Sequence, residues 1–298
     1  MMKKVFVFGS LNMDLVVNSP CLPQAGETMY GTGFFTNPGG KGANQAVACG
    51  RLGAETYMGG AVGTDSFGET LMEGLKGCGV NTGAIRVIPD CSSGIAVILV
   101  TEGDNRIILD GGANGRVMAE DADRLLERAG EGDIFLCQLE NPVEVIGYAM
   151  KAARRRGMYV ILNPAPMHVM VSEYLPCCDM LVLNETEFSM LGKDSLAAGS
   201  RRLLDMGIRD VVLTLGAKGY CHTTRGEIVC AEGVPVKAVD TTAAGDTFCG
   251  ALAASLAEGK TVGEALQFAN KAAAITVTRR GAQCSIPTFQ EIFDRYGG

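Results

Sequence analysis

Val239-Asp240-Thr241-Thr242-Ala243-Ala244-Gly245-Asp246-Thr247-Phe248 is the stretch on which the reading of this chain turns, a loop of small residues that runs into an apolar helix with one carboxylate at the junction. Phe248, Ala251, Leu252 and Leu256 recur at helical spacing, so Gly245 and Asp246 fall in the first turn. Unpaired backbone N–H groups and the positive dipole end gather there and favour a bound anion. An acid at this position is ordinarily an N-cap. A cap, however, does not require the small Ala243-Ala244-Gly245 run, which lets backbone amides approach a ligand closely. The layout suits phosphate transfer, with Asp246 beside the transferring group.

Outward from this point, short β-rich runs alternate with helical patterns. Val5 to Phe8 precedes a helix over Ala43 to Leu52, and Thr56 to Val62 precedes one over Phe67 to Leu75 that Gly79 closes. The rhythm resumes with Asp133 to Leu139 before Val143 to Arg155, Pro142 standing in a first helical turn, then Met158 to Leu162. Met180 to Leu183 before Glu185 to Leu191, and Val211 to Leu215, complete it. Alternation of this kind predicts a mostly parallel sheet covered by helices. Two segments break the pattern. Roughly thirty residues separate the first strand from the helix near Gly42, too many for an ordinary βα loop. Between Ser92 and Gly112, Ile95, Val97 and Leu99 alternate, and Ile107, Ile108 and Leu109 follow the turn-like Glu102-Gly103-Asp104-Asn105. Segments of about 10–38 and 92–112 are expected to form a small separate sheet, a lid inserted in one domain spanning 1–298.

A net charge of -7 over 298 residues argues against a general nucleic-acid or anionic-membrane binder. Any phosphate must then be held locally by helix N-termini, a few cations and a divalent ion. The 11 cysteines contain no CxxC pair and only His168 and His222 accompany them, so thiols in a reducing cytoplasm are expected and zinc is not. The N-terminal apolar run Val5 to Phe8 is too short for a signal peptide, and no segment reaches membrane-spanning length.

Several constellations carry chemistry. Asn12 and Asp14 stand two apart in an extended segment and share a face suited to a polyhydroxylated ligand, or else form a turn motif. Gly39-Gly40-Lys41-Gly42-Ala43-Asn44 leads a glycine loop into a helix with Lys41 and Asn44 as donors. Asn184 and Glu187 follow an apolar strand at i, i+3, either touching phosphate and magnesium or forming a capping box. Thr214-Leu215-Gly216-Ala217-Lys218-Gly219 is either a hairpin turn or a nucleotide-phosphate loop. Gly259-Lys260-Thr261 lacks the upstream glycine of a P-loop, since Ala254 stands there, and reads as a helix end and a cap. Gly59-Gly60-Ala61-Val62-Gly63 has Met58 where a dinucleotide fingerprint needs its first glycine.

Asn12-Met13-Asp14, GGKGANQA from Gly39, Gln138-Leu139-Glu140-Asn141-Pro142, Leu162-Asn163-Pro164-Ala165-Pro166, NETE from Asn184, DTTAAGDTF from Asp240 and RRGAQ from Arg279 stand in one order. In that order the chain resembles the ribokinase branch of the ribokinase-like (PfkB) carbohydrate kinases over nearly its whole length. The resemblance implies a three-layer α/β/α sandwich with a small β-sheet lid, lids that pair two copies as a homodimer, and ATP-dependent phosphorylation of the primary (5-) hydroxyl of D-ribose. Asn12, Met13, Asp14, Gly40, Lys41, Gly42, Ala43, Asn44 and Glu140 would surround the sugar. Asp246 would be the base, with Gly245 and Ala244 at the anion hole. ATP would meet Asn184, the loop from Thr214 to Gly219, Gly245, Asp246 and Asn270. Glu187 matches the family's Mg2+-linked acid, and Asp240, Thr242, Thr276, Arg279, Gly281 and Ser285 its K+ loop, largely through backbone oxygens. Asn270 stands where some relatives carry histidine, and Cys284 where ribokinases usually carry proline. Other acceptors (deoxyribose, another pentose or ketohexose, a nucleoside, a sugar acid) keep the same chemistry, and a non-catalytic sugar-binding protein is the rival of another class. Two carboxylates among the acceptor residues disfavour an acidic sugar.

Overall fold

The computed structural model describes residues 3–101, 104–192 and 194–297. Along the chain run β1 (Val5–Phe8), β2 (Asn12–Asn18), β3 (Thr32–Gly39), α1 (Lys41–Arg51), β4 (Thr56–Gly63), α2 (Ser66–Gly77), β5 (Val80–Ile88), β6 (Gly94–Thr101) and β7 (Asp104–Asp110). There follow α3 (Ala119–Leu125), β8 (Ile134–Cys137), α4 (Val143–Arg155), β9 (Tyr159–Leu162), β10 (Met180–Asn184), α5 (Glu185–Leu191), α6 (Leu196–Asp205) and β11 (Asp210–Thr214). β12 (Tyr220–Thr223), β13 (Ile228–Ala231), α7 (Ala244–Ala257), α8 (Val262–Thr276) and α9 (Phe289–Tyr296) close the fold.

One sheet has the order β13-β12-β11-β10-β9-β8-β1-β4-β5, parallel except at the β11–β12–β13 edge. Side chains on β1 alternate between two cores, as a strand covered on both faces requires. Val5 and Val7 pack with residues of α1, α2, α7, α8 and α9, while Phe6 and Phe8 pack with residues of α3, α4, α5 and α6. The result is the three-layer sandwich. The second sheet, β3-β2-β6-β7, is drawn from the two segments that interrupt the rhythm. In the expected turn between β6 and β7, Glu102 and Gly103 lie outside the described residues.

Several local expectations resolve structurally. Gly79, at φ +79, follows α2 as its terminator, and Pro142 is the residue just before α4. Thr261 caps α8, with Glu264 returning a hydrogen bond to its backbone N–H, so Gly259-Lys260-Thr261 is a helix end and a cap. The expectation that every cysteine is a free thiol is corrected. Cys221 and Cys230 lie directly opposite on the antiparallel β12–β13 pair and form a disulfide, a juxtaposition set by hairpin register that spacing alone does not reveal. The other nine cysteines are free.

Candidate active site

The start of α1 is shaped by the absence of side chains. Gly40 has φ +88, and a Cβ there would lie 2.7 Å from the Asn12 nitrogen; a Cβ at Gly42 would lie 2.5 Å from the Gly9 carbonyl carbon. Only glycines let the helix seat against the segment leaving β1, where Ala43 N–H donates to the Ser10 carbonyl at 2.9 Å. That seating delivers Lys41, Asn44 and Gln45 to the carboxyl ends of the central strands. Ligands of parallel α/β sheets bind at these ends.

Asn12 and Asp14, 4% and 8% exposed, share one face of β2 at the base of the small sheet. Met13 takes the opposite face and packs into the core, as do Ala43 and its helical neighbours, so these residues shape the recess from behind. Glu140 Oε2 accepts from Ser10 Oγ at 2.5 Å, from Lys41 N–H at 3.1 Å and from Asn12 Nδ2 at 3.4 Å. Asn12 Oδ1 in turn accepts from Asn114 at 2.7 Å. Burial, then the nearby charges of Glu140 and Asp246, push the Asp14 carboxyl up to about 7. Lys41, partly buried, is the compensating cation: the negative charge of Asp246 chiefly, with that of Glu140 and Glu187, raises its pKa against the opposing effect of burial.

Asp246 is not the cap of α7. The N-cap is Ala243, held in the left-handed region at φ 59 and making no side-chain cap. Asp246 lies in the first turn, buried, with Asn44 Nδ2 donating to Oδ2 and Gln45 Nε2 to Oδ1, both at 3.0 Å. Among the described residues, no acceptor meets the N–H groups of Gly245 and Asp246. They are free for an anion.

Two adjoining recesses open at this turn. One, of about 300 Å³, is lined by Thr214, Gly216, Ala217 and Gly219 on one wall and by Val236, Phe248 and Val277 among others. Leu215 packs toward the core and Lys218 is exposed at the hairpin, so neither side chain contributes to that wall. Asn270 lines it too, its Nδ2 donating to the Glu232 carbonyl at 2.9 Å. The other recess, of about 220 Å³, holds Lys41, Asn163, Glu187 and Asp246. Asn184 and Glu187 make the reciprocal capping box, Glu187 N–H to Asn184 Oδ1 at 2.8 Å and Asn184 N–H to Glu187 Oε2 at 2.9 Å. Burial raises the Glu187 pKa, opposed by the Asn184 hydrogen bond and by Lys41.

Beside α7, Asp240 ties two loops together. Thr242 donates to its Oδ1 through both N–H and hydroxyl, and Gly281 N–H donates to Oδ2 at 2.9 Å. Burial resists ionisation here, but the hydrogen bonds from Thr242 and Gly281 outweigh it and hold the carboxyl below its usual range. The Thr276 hydroxyl donates to Thr247 and that of Ser285 to Ala282, while Arg279 pairs with Glu291 at 2.7 Å. The Thr276, Arg279 and Ser285 side chains are therefore engaged elsewhere, and the Thr276 carbonyl itself accepts from the Arg279 N–H at 3.1 Å.

Sequence reasoning missed Ser10, Gln45, Asn114 and Asn163, and the segment from Gly233 to Ala238 that walls the larger recess. Gln45 and Asn163 sit inside quoted motifs and had a signal. Asn114 had none, since its hydrogen bonds reach residues about a hundred positions away.

A polar recess, an apolar recess and a buried carboxylate on a free helix N-terminus between them define a phosphotransferase that acts on an alcohol group. The chain belongs to the pfkB family of carbohydrate kinases, whose description matches residues 2–289. It is 41% identical to the ribokinase of Schizosaccharomyces pombe, covering 98% of this chain and 97% of that one. It is 40% identical to the ribokinase of Bacillus subtilis, covering 98% of each. The structure of Arabidopsis thaliana ribokinase complexed with ribose and ATP superposes with a TM-score of 0.90 at 33% identity, covering 99% of this chain and 98% of that one.

Proposed function

We propose that this chain transfers the γ-phosphoryl group of ATP to the 5-hydroxyl of D-ribose, giving ribose 5-phosphate and ADP. The observation that carries the reading is the Asp246 carboxylate, buried in the smaller recess beside the free N–H groups of Gly245 and itself. Asp246 takes the hydroxyl proton as the sugar oxygen attacks, and the first-turn amides stabilise charge on the transferring group. Positioning and electrostatics are what phosphoryl transfer chiefly requires. Asn12, Asp14, Lys41, Asn44 and Glu140 form the polar acceptor wall. The buried Asn44 Oδ1 has no protein partner, which suits a ligand hydroxyl. The apolar wall of Val236, Phe248 and Val277 suits a nucleobase.

Three finer parts belong to the same proposal. Glu187, which lines the smaller recess with Lys41 and Asp246, fits a Mg2+ ion held mostly by phosphates and water, which would neutralise phosphate charge. Asp240 and the carbonyls of the two loops it ties fit a K+ activator. Exposed Phe34, Phe35, Ile107 and Ile108 on the small sheet support pairing of two lids as a homodimer, which would cover apolar side chains otherwise left in water. Among the described residues no helix is long and apolar enough to cross a membrane, and a cytoplasmic site of action is part of this reading.

An ADP-release assay over a panel of ribose, deoxyribose, ketohexoses, nucleosides and sugar acids, in potassium and in sodium, tests the proposal. Strong turnover with ribose is expected. Turnover confined to another acceptor would reject ribose, and ADP release that ignores the cation would reject potassium.

A further inference from the structure

Gln45 is fully buried, carries no charge and touches neither recess, yet it sits at the centre of a polar chain that ends on Asp246. Its Nε2 donates to Asp246 Oδ1 at 3.0 Å and to Asn163 Oδ1 at 3.2 Å, while its Oε1 accepts from Gln138 Nε2. Asn163 Nδ2 donates to the Val182 carbonyl at 3.0 Å. That last contact fixes the polarity of the whole chain. A backbone carbonyl only accepts, so Asn163 must turn its amide toward Val182 and its oxygen toward Gln45. Gln45 must then turn its own amide to Asn163 and Asp246, and its oxygen to Gln138. β10 of the central sheet thereby dictates which end of Gln45 the carboxylate meets. A flipped Gln45 would set carbonyl oxygen against carboxylate oxygen and lose all three bonds.

The contact depends on close approach of α1 and α7. A Cβ at Gly250, one turn beyond Asp246, would lie 2.6 Å from the Gln45 carbonyl oxygen and 2.5 Å from the Ala48 Cβ. Asn44 holds the other carboxylate oxygen from the same helix. With both oxygens restrained, the carboxylate plane is set before the sugar arrives.

We infer that Gln45 is a positioning residue for the transfer reaction: its sheet-anchored amide orients the Asp246 carboxylate and holds it as the proton acceptor. The inference rests on Asp246 being the base, as proposed above. A donor to the charged form favours that form and spares the base from reorienting during reaction. Gln45 itself contacts no reacting atom.

The test uses the full chain, with the acceptor that the wild-type protein turns over best, and two variants. Gln45→Met keeps length and bulk but removes the donor. Its kcat is expected to fall roughly tenfold to a hundredfold, the worth of a hydrogen bond to a charged group, with the sugar Kd by calorimetry unchanged. Gln45→Glu puts a carboxyl at the same place, which donates to Asp246 only when protonated. Its kcat relative to wild type should be low at pH 8 and recover as pH falls. Asp14, Lys41, Glu187 and Cys249, the other titratable groups around Asp246, are common to both proteins and cancel in that ratio. Wild-type kcat in Gln45→Met, or a Gln45→Glu ratio that stays flat with pH, would overturn the inference. If Gln45→Met does not fold, the pH ratio decides alone. A wild-type protein that phosphorylates no acceptor would remove the functional reading and this inference together, whereas an active wild type with equally active variants would remove only the inference.

Discussion

The polar wall of Asn12, Asp14, Asn44 and Glu140, which reaches Asp246 through Asn44, and the apolar recess beside α7 are built on opposite principles. The acceptor side is a dense set of charged and amide side chains from β2, α1 and the segment after β8, cross-bonded through Glu140, Asn114 and Asn44. The nucleotide side is mostly backbone and small apolar side chains, with Asn270 as one of its few polar groups and that amide already used by the Glu232 carbonyl. The difference separates discrimination from retention. A site of fixed, buried hydrogen-bonding groups penalises a ligand that leaves one unpaired, whereas an apolar slot discriminates weakly.

Breaking the junction itself should have the largest effect. Asp246→Asn is expected to lower turnover on the order of a hundredfold or more while leaving sugar affinity intact, measured by kcat and by calorimetry. Undiminished kcat would take the base role from Asp246.

The acceptor side comes next, and here function and stability oppose each other. The Asp14 carboxyl titrates at about 7 in the folded protein against an ordinary 3.8, so the folded state keeps its proton longer than the unfolded one. Stability therefore declines as pH rises from the lower value through the higher. Asp14→Asn should raise the melting temperature of the ligand-free protein at pH 8 and weaken ribose binding by about tenfold, the cost of a lost charged hydrogen bond. Sugar hydroxyls that donate to Asp14 favour its ionised form, so wild-type binding near pH 7 should release protons, seen as a heat that varies with buffer ionisation enthalpy. Identical melting curves at pH 8, or binding heats independent of buffer, would show that Asp14 carries no such charge.

The smallest effect is expected on the nucleotide side. Asn270→Ala should change the KM for ATP by less than about threefold, because its amide serves the backbone and a neutral hydrogen bond is worth little net. A loss of tenfold or more would make the two recesses alike after all.

The same contrast governs what the sequence could disclose. The acceptor side was legible because Asn12, Asp14, Lys41 and Asn44 are polar residues in glycine-rich or alternating contexts where the ordinary expectation is apolar. The apolar wall from Gly233 to Ala238 was not, since small hydrophobic residues in a loop resemble any other loop. The parallel, helix-covered sheet was legible from the alternation of β-runs and helices through β1, α1, β4 and α2, whereas its strand order was not. α8 escaped because its Ala-rich sequence offers little contrast between faces for a period to reveal. Asn184 and Glu187 form the capping box, and it leaves the site reading open, since one carboxylate oxygen completes the cap while both residues still line the smaller recess. Gln45 lay inside a quoted motif, but its place in the polar chain depends on Val182 and Asp246, which only folding brings near.

Thr214, Thr241, Ala244 and Gly245 line both recesses, so the apolar recess and the one holding Lys41, Glu187 and Asp246 adjoin at the start of α7. An apolar end and a charged end thus adjoin at one helix N-terminus. A molecule with an apolar ring at one end and an anionic group at the other would lay the bonds between them along the start of α7.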